Sequence, residues 1–267
     1  MAGAEAAMRV IPVLDLMAGQ AVHARRGRRA AYPPARSVLV PADRAGDPLA
    51  LARAFHETLR ADEWYVADLD ALTGAAPQRG LLRVLAGLGG RLLVDAATVT
   101  PARARDTLAD GAARVVVGLE TLPSFAALGR IAEAIGRAHL VFSLDLRAGR
   151  PVLQAGTRHH GTPLALARAA LDAGAAALLV LDLARVGRGC GVNLELVAAV
   201  RRAHPGVELL AGGGIRSVGD LERLAAVGCD GALVATALHE GGLTREHLEE
   251  VRRRPDRRRA GHARDSR

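Results

Sequence analysis

Short apolar runs and amphipathic stretches alternate eight times along this 267-residue chain. That alternation constrains the fold more than any other feature. The runs are Arg9–Leu14, Glu63–Ala67, Arg91–Val94, Val115–Val117, His139–Leu144, Ala177–Leu181, Val207–Ala211 and Gly231–Val234. Between them, Asp47-Pro48 and Thr100-Pro101 are helix starts, and Gly111, Gly174 and Gly228 are stops. Val38-Leu39-Val40 reads as an edge within the long segment after the first run. Runs that are apolar almost throughout suit a parallel sheet covered on both faces. Eight such units over residues 8–250 predict an α/β chain closed into a (β/α)8 TIM barrel rather than an open sheet.

A repeat supports closure. Leu92, Gly111 and Val117 recur as Leu209, Gly228 and Val234 at an offset of 117, and Asp68 corresponds to Asp182 at an offset of 114. Duplication of a half-barrel accounts for both. The most distinctive punctuation falls in the second half, where Leu209-Leu210-Ala211 runs into Gly212, Gly213 and Gly214 and then Ile215-Arg216-Ser217. Backbone N–H groups free of side chains, followed by a helix start, make an anion site, and phosphate is the expected anion.

Composition excludes several classes. All 36 basic residues are Arg, so the chain has no lysine for a Schiff base or a phosphate loop. The formal charge of +8 resides mostly in residues 251–267, where eight Arg face Asp256 and Asp265. This segment is expected to be a disordered Arg-rich tail, and residues 1–7 a flexible extension. Aromatics are only 2%, leaving little to stack on bases, so nucleic acid is not the expected partner. The chain lacks an uncharged apolar stretch of membrane-spanning length and a secretory pattern, so a cytoplasmic location without membrane association is expected. Cys190 and Cys229 have no metal-type spacing, and the adjacent His159 and His160 read as solvated loop residues, so no metal is expected. Arg25, Arg26, Arg28 and Arg29 read as a solvated face.

Val10-Ile11-Pro12-Val13-Leu14-Asp15-Leu16, its spacing to Gly19, Val22, Gly27 and Tyr32, the Asp68-Leu69-Asp70 strand end, and Gly212-Gly213-Gly214-Ile215-Arg216-Ser217 together resemble the histidine-biosynthesis barrel family. That family comprises an aminoaldose-aminoketose isomerase and a cyclase, and the resemblance covers about residues 8–250, leaning to the isomerase. It implies opposed carboxylates at the ends of the first and fifth strands, here Asp15 as base and Asp145 as acid. Acid-base work of this kind needs neither metal nor organic cofactor. The resemblance also implies that Asp182 lines the pocket, that His23 stands where the isomerase pattern has Arg, and that Asp68 and Asp95 are candidate substrate contacts.

The family's substrates carry two phosphates, bound at equivalent places in the two half-barrels. The second place is furnished by Gly212, Gly213, Gly214, Ala235 and Thr236. In the first half the repeat puts Asp95-Ala96-Ala97 opposite the three glycines and Leu119-Glu120 opposite Thr236-Ala237. Carboxylates there repel a phosphate dianion. The expected function is a cofactor-free acid-base enzyme acting on a small phosphorylated sugar-type substrate, with one phosphate place degraded. The alternatives are a divergent relative in another pathway, such as one-carbon cofactor synthesis, and a non-catalytic phospholigand-binding barrel. The sequence leaves the substrate and the oligomeric state open.

Overall fold

In a computed structural model, the structure describes residues 8–24, 32–157, 160–187 and 191–253. The expected extension at 1–7, the Arg25–Arg29 run, His159, Cys190 and the tail beyond Arg253 lie outside these residues. Eight parallel strands form the barrel: β1 (Arg9–Met17), β2 (Glu63–Asp68), β3 (Arg91–Asp95), β4 (Ala112–Gly118), β5 (Leu140–Arg147), β6 (Ala177–Asp182), β7 (Glu208–Gly212) and β8 (Gly231–Val234). Closure is direct, because β1 pairs in parallel with β8 from Arg9 opposite Gly231 to Pro12 opposite Val234.

The outer helices are α1 (Pro48–Glu57), α2 (Arg79–Ala86), α3 (Pro101–Ala109), α4 (Phe125–Ile135), α5 (Pro163–Asp172), α6 (Leu194–Ala203), α7 (Val218–Ala226) and α8 (Arg245–Arg253). Their starts follow local chemistry. Asp47, Thr100 and Thr162 accept from backbone N–H groups of the first turn, each just before a proline that has no N–H to satisfy. Ser217 and Asp220 satisfy each other's backbone N–H groups at the start of α7.

Strand parity divides the core. Ile11, Tyr65, Leu93, Val116, Val141, Leu179, Leu210 and Leu233 fill the barrel, one from each strand. Their neighbours Val10, Trp64, Leu92, Val115, Phe142, Leu178, Leu209 and Val234 face the helices. Both faces are apolar, which is why the strands read as unbroken apolar runs. Two expectations need correction. Val38–Val40 is a turn, and the strand pairing of that segment is instead the return arm Gln20–Val22, antiparallel to β1. Helix α8 carries the folded chain to Arg253, with Val251 buried, because that residue still has a core to join.

The N-terminal ends of the strands are joined by ions rather than by apolar packing. Arg9 pairs with Glu63 at 2.8 Å and with Glu208, Arg91 reaches Glu63 at 3.1 Å, and Arg114 meets Glu208 at 2.8 Å. The Arg114 side chain is only 13% exposed. Glu208→Ala therefore takes away this partner of the largely buried Arg114, while Arg9 keeps Glu63, and is expected to cost about 2–3 kcal/mol in urea unfolding. The exposed Arg168–Asp172 pair is a control, and Asp172→Ala is expected to cost less than about 0.5 kcal/mol.

Candidate active site

At the opposite, C-terminal ends of the strands a cavity of about 530 Å3 opens, and Asp15, Asp95, Glu120 and Asp145 are in its wall. Register explains the gathering. Asp15 of β1 and Asp95 of β3 both sit level with Ala67 of β2, and Asp145 of β5 sits level with Leu181 of β6. All three carboxylates share the inward parity of the barrel-filling residues on their strands. Inward positions at this rim face the mouth of the barrel.

Asp145 is held on both oxygens. The Ser143 hydroxyl donates to Oδ1 at 2.6 Å, and the Glu120 backbone N–H donates to Oδ2 at 3.1 Å. Burial, followed by the negative charges of Glu120 and Asp95, pushes this carboxyl up to about 8, against the lowering pull of its two donors. The shift favours the neutral, protonated form of Asp145. The Tyr65 hydroxyl donates to Asp95 Oδ2 at 3.1 Å. Burial and the charges of Asp95, Asp145 and Asp15 hold the phenol well above its usual range. Gly118 on β4 lets these groups approach, since a Cβ there would lie 2.7 Å from Asp145 Oδ2 and 3.7 Å from Asp95 Oδ2.

Another part of the wall comes from the second half-barrel. Gly213, Gly214, Arg216, Ala235, Thr236 and Ala237 line it. Gly213 and Gly214 have φ of +96° and +89°. A Cβ at these positions would come within 2.7 Å of the Asp182 carbonyl oxygen and 2.9 Å of the Gly191 carbonyl oxygen. Only glycine fits that turn. Gly212 is behind the lining, wedged between Leu181 and Leu233. In the first half only Ala97, opposite Gly214, keeps a left-handed backbone, with φ of +49°, and Ala96 does not. Ala96 and Ala97 are nevertheless buried and outside the cavity wall.

Three candidates lie elsewhere. Asp68 is fully buried and accepts from the N–H groups of Ala71 and Gln78, capping the short turn Leu69–Leu72. Asp182 accepts from the N–H groups of Ala148, Gly149 and Ala184, tying two loops together. Both point away from the barrel interior by strand parity, and neither is in the cavity wall. The place given to Asp68 and Asp182 as ligand contacts is corrected to loop anchors. His23 also stands behind the wall, with Nε2 3.0 Å from the Thr236 hydroxyl.

Tyr65, Ser143 and Gly118 are site residues that motif reading missed. Period-two alternation was the available signal, since Tyr65 is two residues before inward Ala67 and Ser143 two before Asp145. Among the described residues no group of three or more His, Cys, Asp or Glu side chains is arranged to hold a metal ion. Nor is any of their helices long and apolar enough to cross a membrane.

Comparison with known proteins adds the family. The sequence profile described as "Histidine biosynthesis protein" matches residues 9–244. A Thermus thermophilus protein named 1-(5-phosphoribosyl)-5-((5-phosphoribosylamino)methylideneamino) imidazole-4-carboxamide isomerase is 36% identical over 88% of this chain and 96% of its own length. Proteins of the same name from Rubrobacter xylanophilus and Sorangium cellulosum are 35% and 32% identical, over 90% and 89% of this chain and 94% and 96% of their own lengths.

Proposed function

The chain belongs to the histidine biosynthesis protein family, and from that premise we propose that it is an aldose-ketose type isomerase acting on a phosphorylated aminosugar. The observation that carries the reading is a buried carboxyl, Asp145, held by the Ser143 hydroxyl and the Glu120 N–H and shifted upward, in the same cavity as the glycine-lined end. Asp145 gives its proton to the ring oxygen of the aminoaldose, so the ring carbon-oxygen bond breaks as an imine forms. Asp15 then takes the proton from the carbon next to the imine, and the electron pair moves to make an enaminol. Asp15 returns the proton to the former imine carbon while the enol hydroxyl gives its proton to the Asp145 carboxylate, which yields the aminoketose and restores both carboxyl groups, so atoms and charge balance without an external oxidant. Burial and then the neighbouring carboxylates favour the protonated form of Asp145, whereas Asp15 serves as the base, a division of labour set by environment.

The phosphate lies against Gly213, Gly214, Ala235 and Thr236. At the far end, Asp95 and Glu120 disfavour a second dianion, and Ala96 and Ala97 are buried outside the cavity wall. The relatives' names specify two phosphoribosyl groups. This chain is proposed to take a singly phosphorylated substrate whose other end is neutral or cationic. Turnover of the bisphosphorylated aminoaldose and of its singly phosphorylated counterpart by purified protein tests both parts. The expected result is a kcat/KM at least tenfold higher for the single phosphate. A preference for the bisphosphate would remove the one-phosphate reading but keep the isomerase, and no turnover of either would remove both.

A further inference from the structure

We infer that His23 is a positioning residue for the phosphate end, holding the Thr236 hydroxyl so that its proton is directed to the ligand. The inference rests on the proposed phosphate location. Thr236 lines the cavity beside Ala235, and His23 Nε2 is 3.0 Å from its Oγ1. A hydroxyl has one proton and two lone pairs. When the ring N–H donates into one lone pair, the hydroxyl proton turns away from the ring and toward the cavity. An anion there selects this arrangement, because the run from imidazole N–H through hydroxyl to phosphate oxygen then has every donor matched to an acceptor.

The surroundings hold the imidazole in place. His23 is buried, its backbone N–H donates to the Pro33 carbonyl at 2.9 Å, and its ring packs against His239 at a centroid distance of 5.8 Å. His239 in turn packs against Phe55 at 6.1 Å. Burial, and then the proximity of His23, lower His239 to about 4, so it is a neutral wall at pH 7. His23 thus reaches the ligand through Thr236 and is not itself in the cavity wall.

The test measures affinity for inorganic phosphate by calorimetry on the full chain, with KM and kcat read in parallel. His23→Leu is expected to weaken phosphate binding about tenfold, the effect of one hydrogen bond to a charged group. KM should rise by a similar factor while kcat changes less than about twofold, and His23→Gln, which retains an N–H donor, should recover most of the affinity. Thr236→Val should lose as much as His23→Leu, and the double variant should lose no more than Thr236→Val alone. Additive losses would overturn the inference by showing that His23 acts without Thr236. Unchanged phosphate affinity in His23→Leu would overturn it while leaving the phosphate end intact, whereas failure of the unmodified protein to bind phosphate would remove both. If His23→Leu does not fold, Thr236→Val against Thr236→Ser reads the same hydroxyl, and equal affinities would overturn the role.

Discussion

Asp145→Asn is expected to lower kcat about a thousandfold, within the usual range for removing a general acid, while leaving phosphate affinity within about twofold. The amide can accept from the Glu120 N–H and donate to the Ser143 hydroxyl, so the local hydrogen bonds survive and only the transferable proton is lost. The pH behaviour follows from the sign of the shift. Asp145 must be protonated to act, so activity in the unmodified protein falls as pH rises through about 8. Glu120→Gln removes a negative charge that disfavours ionisation, and that alkaline limb moves to lower pH. Stability also falls as pH rises, over the window from 3.8 to about 8. A carboxyl raised from 3.8 to about 8 by folding favours the folded state least once pH exceeds both values, and the resulting loss amounts to several kcal/mol. The amide carries no such penalty. Asp145→Asn should therefore melt higher than the parent at pH 8, with the gain shrinking toward pH 4.

Gly213→Ala carries the second large effect. The new Cβ would lie 2.7 Å from the Asp182 carbonyl oxygen, in a backbone with φ of +96° that L side chains rarely adopt. Both the turn and the end of β6 must shift, at an expected cost of about 2–3 kcal/mol. Because this turn makes the proposed phosphate end, inorganic phosphate affinity should fall at least tenfold, while Asp145 at the other end keeps its environment. Gly219→Ala on α7 is the control. Its Cβ would meet nothing closer than 3.6 Å, so it should be neutral or stabilising by about 0.5 kcal/mol. Calorimetry and thermal melts on the two variants check both statements.

Closure of the barrel was legible because each unit carries its own punctuation. Asp47-Pro48 and Thr100-Pro101 start helices at the positions expected from the chain, with the capping bonds that those residues supply. The short turns Leu69–Leu72 and Thr236–His239 were not legible, since four residues show no period. In the site, Asp15, Asp95 and Asp145 look the same in sequence as Asp68 and Asp182, each ending an apolar run. Parity separates them, because in β2 and β6 the inward residues are Ala67 and Leu181, one before the aspartate. Strands apolar on both faces hide that parity until the barrel is closed. Asp68 and Asp182 are repeat partners, and both do the same structural work of accepting loop N–H groups. The role of Ser143 was hidden for a related reason, as one hydroxyl in an apolar strand has no partner until register supplies it.

The central claim is that this cavity holds a carboxylic acid neutral at pH 7, and the most direct measurement of it is a carbon NMR titration of protein labelled at the aspartate carboxyl carbons. One resonance should titrate near pH 8, vanish in Asp145→Asn and move to lower pH in Glu120→Gln. If every aspartate carboxyl in the folded protein titrates below about pH 5, within the ordinary carboxylate range, Asp145 is ionised at neutral pH and is not the acid.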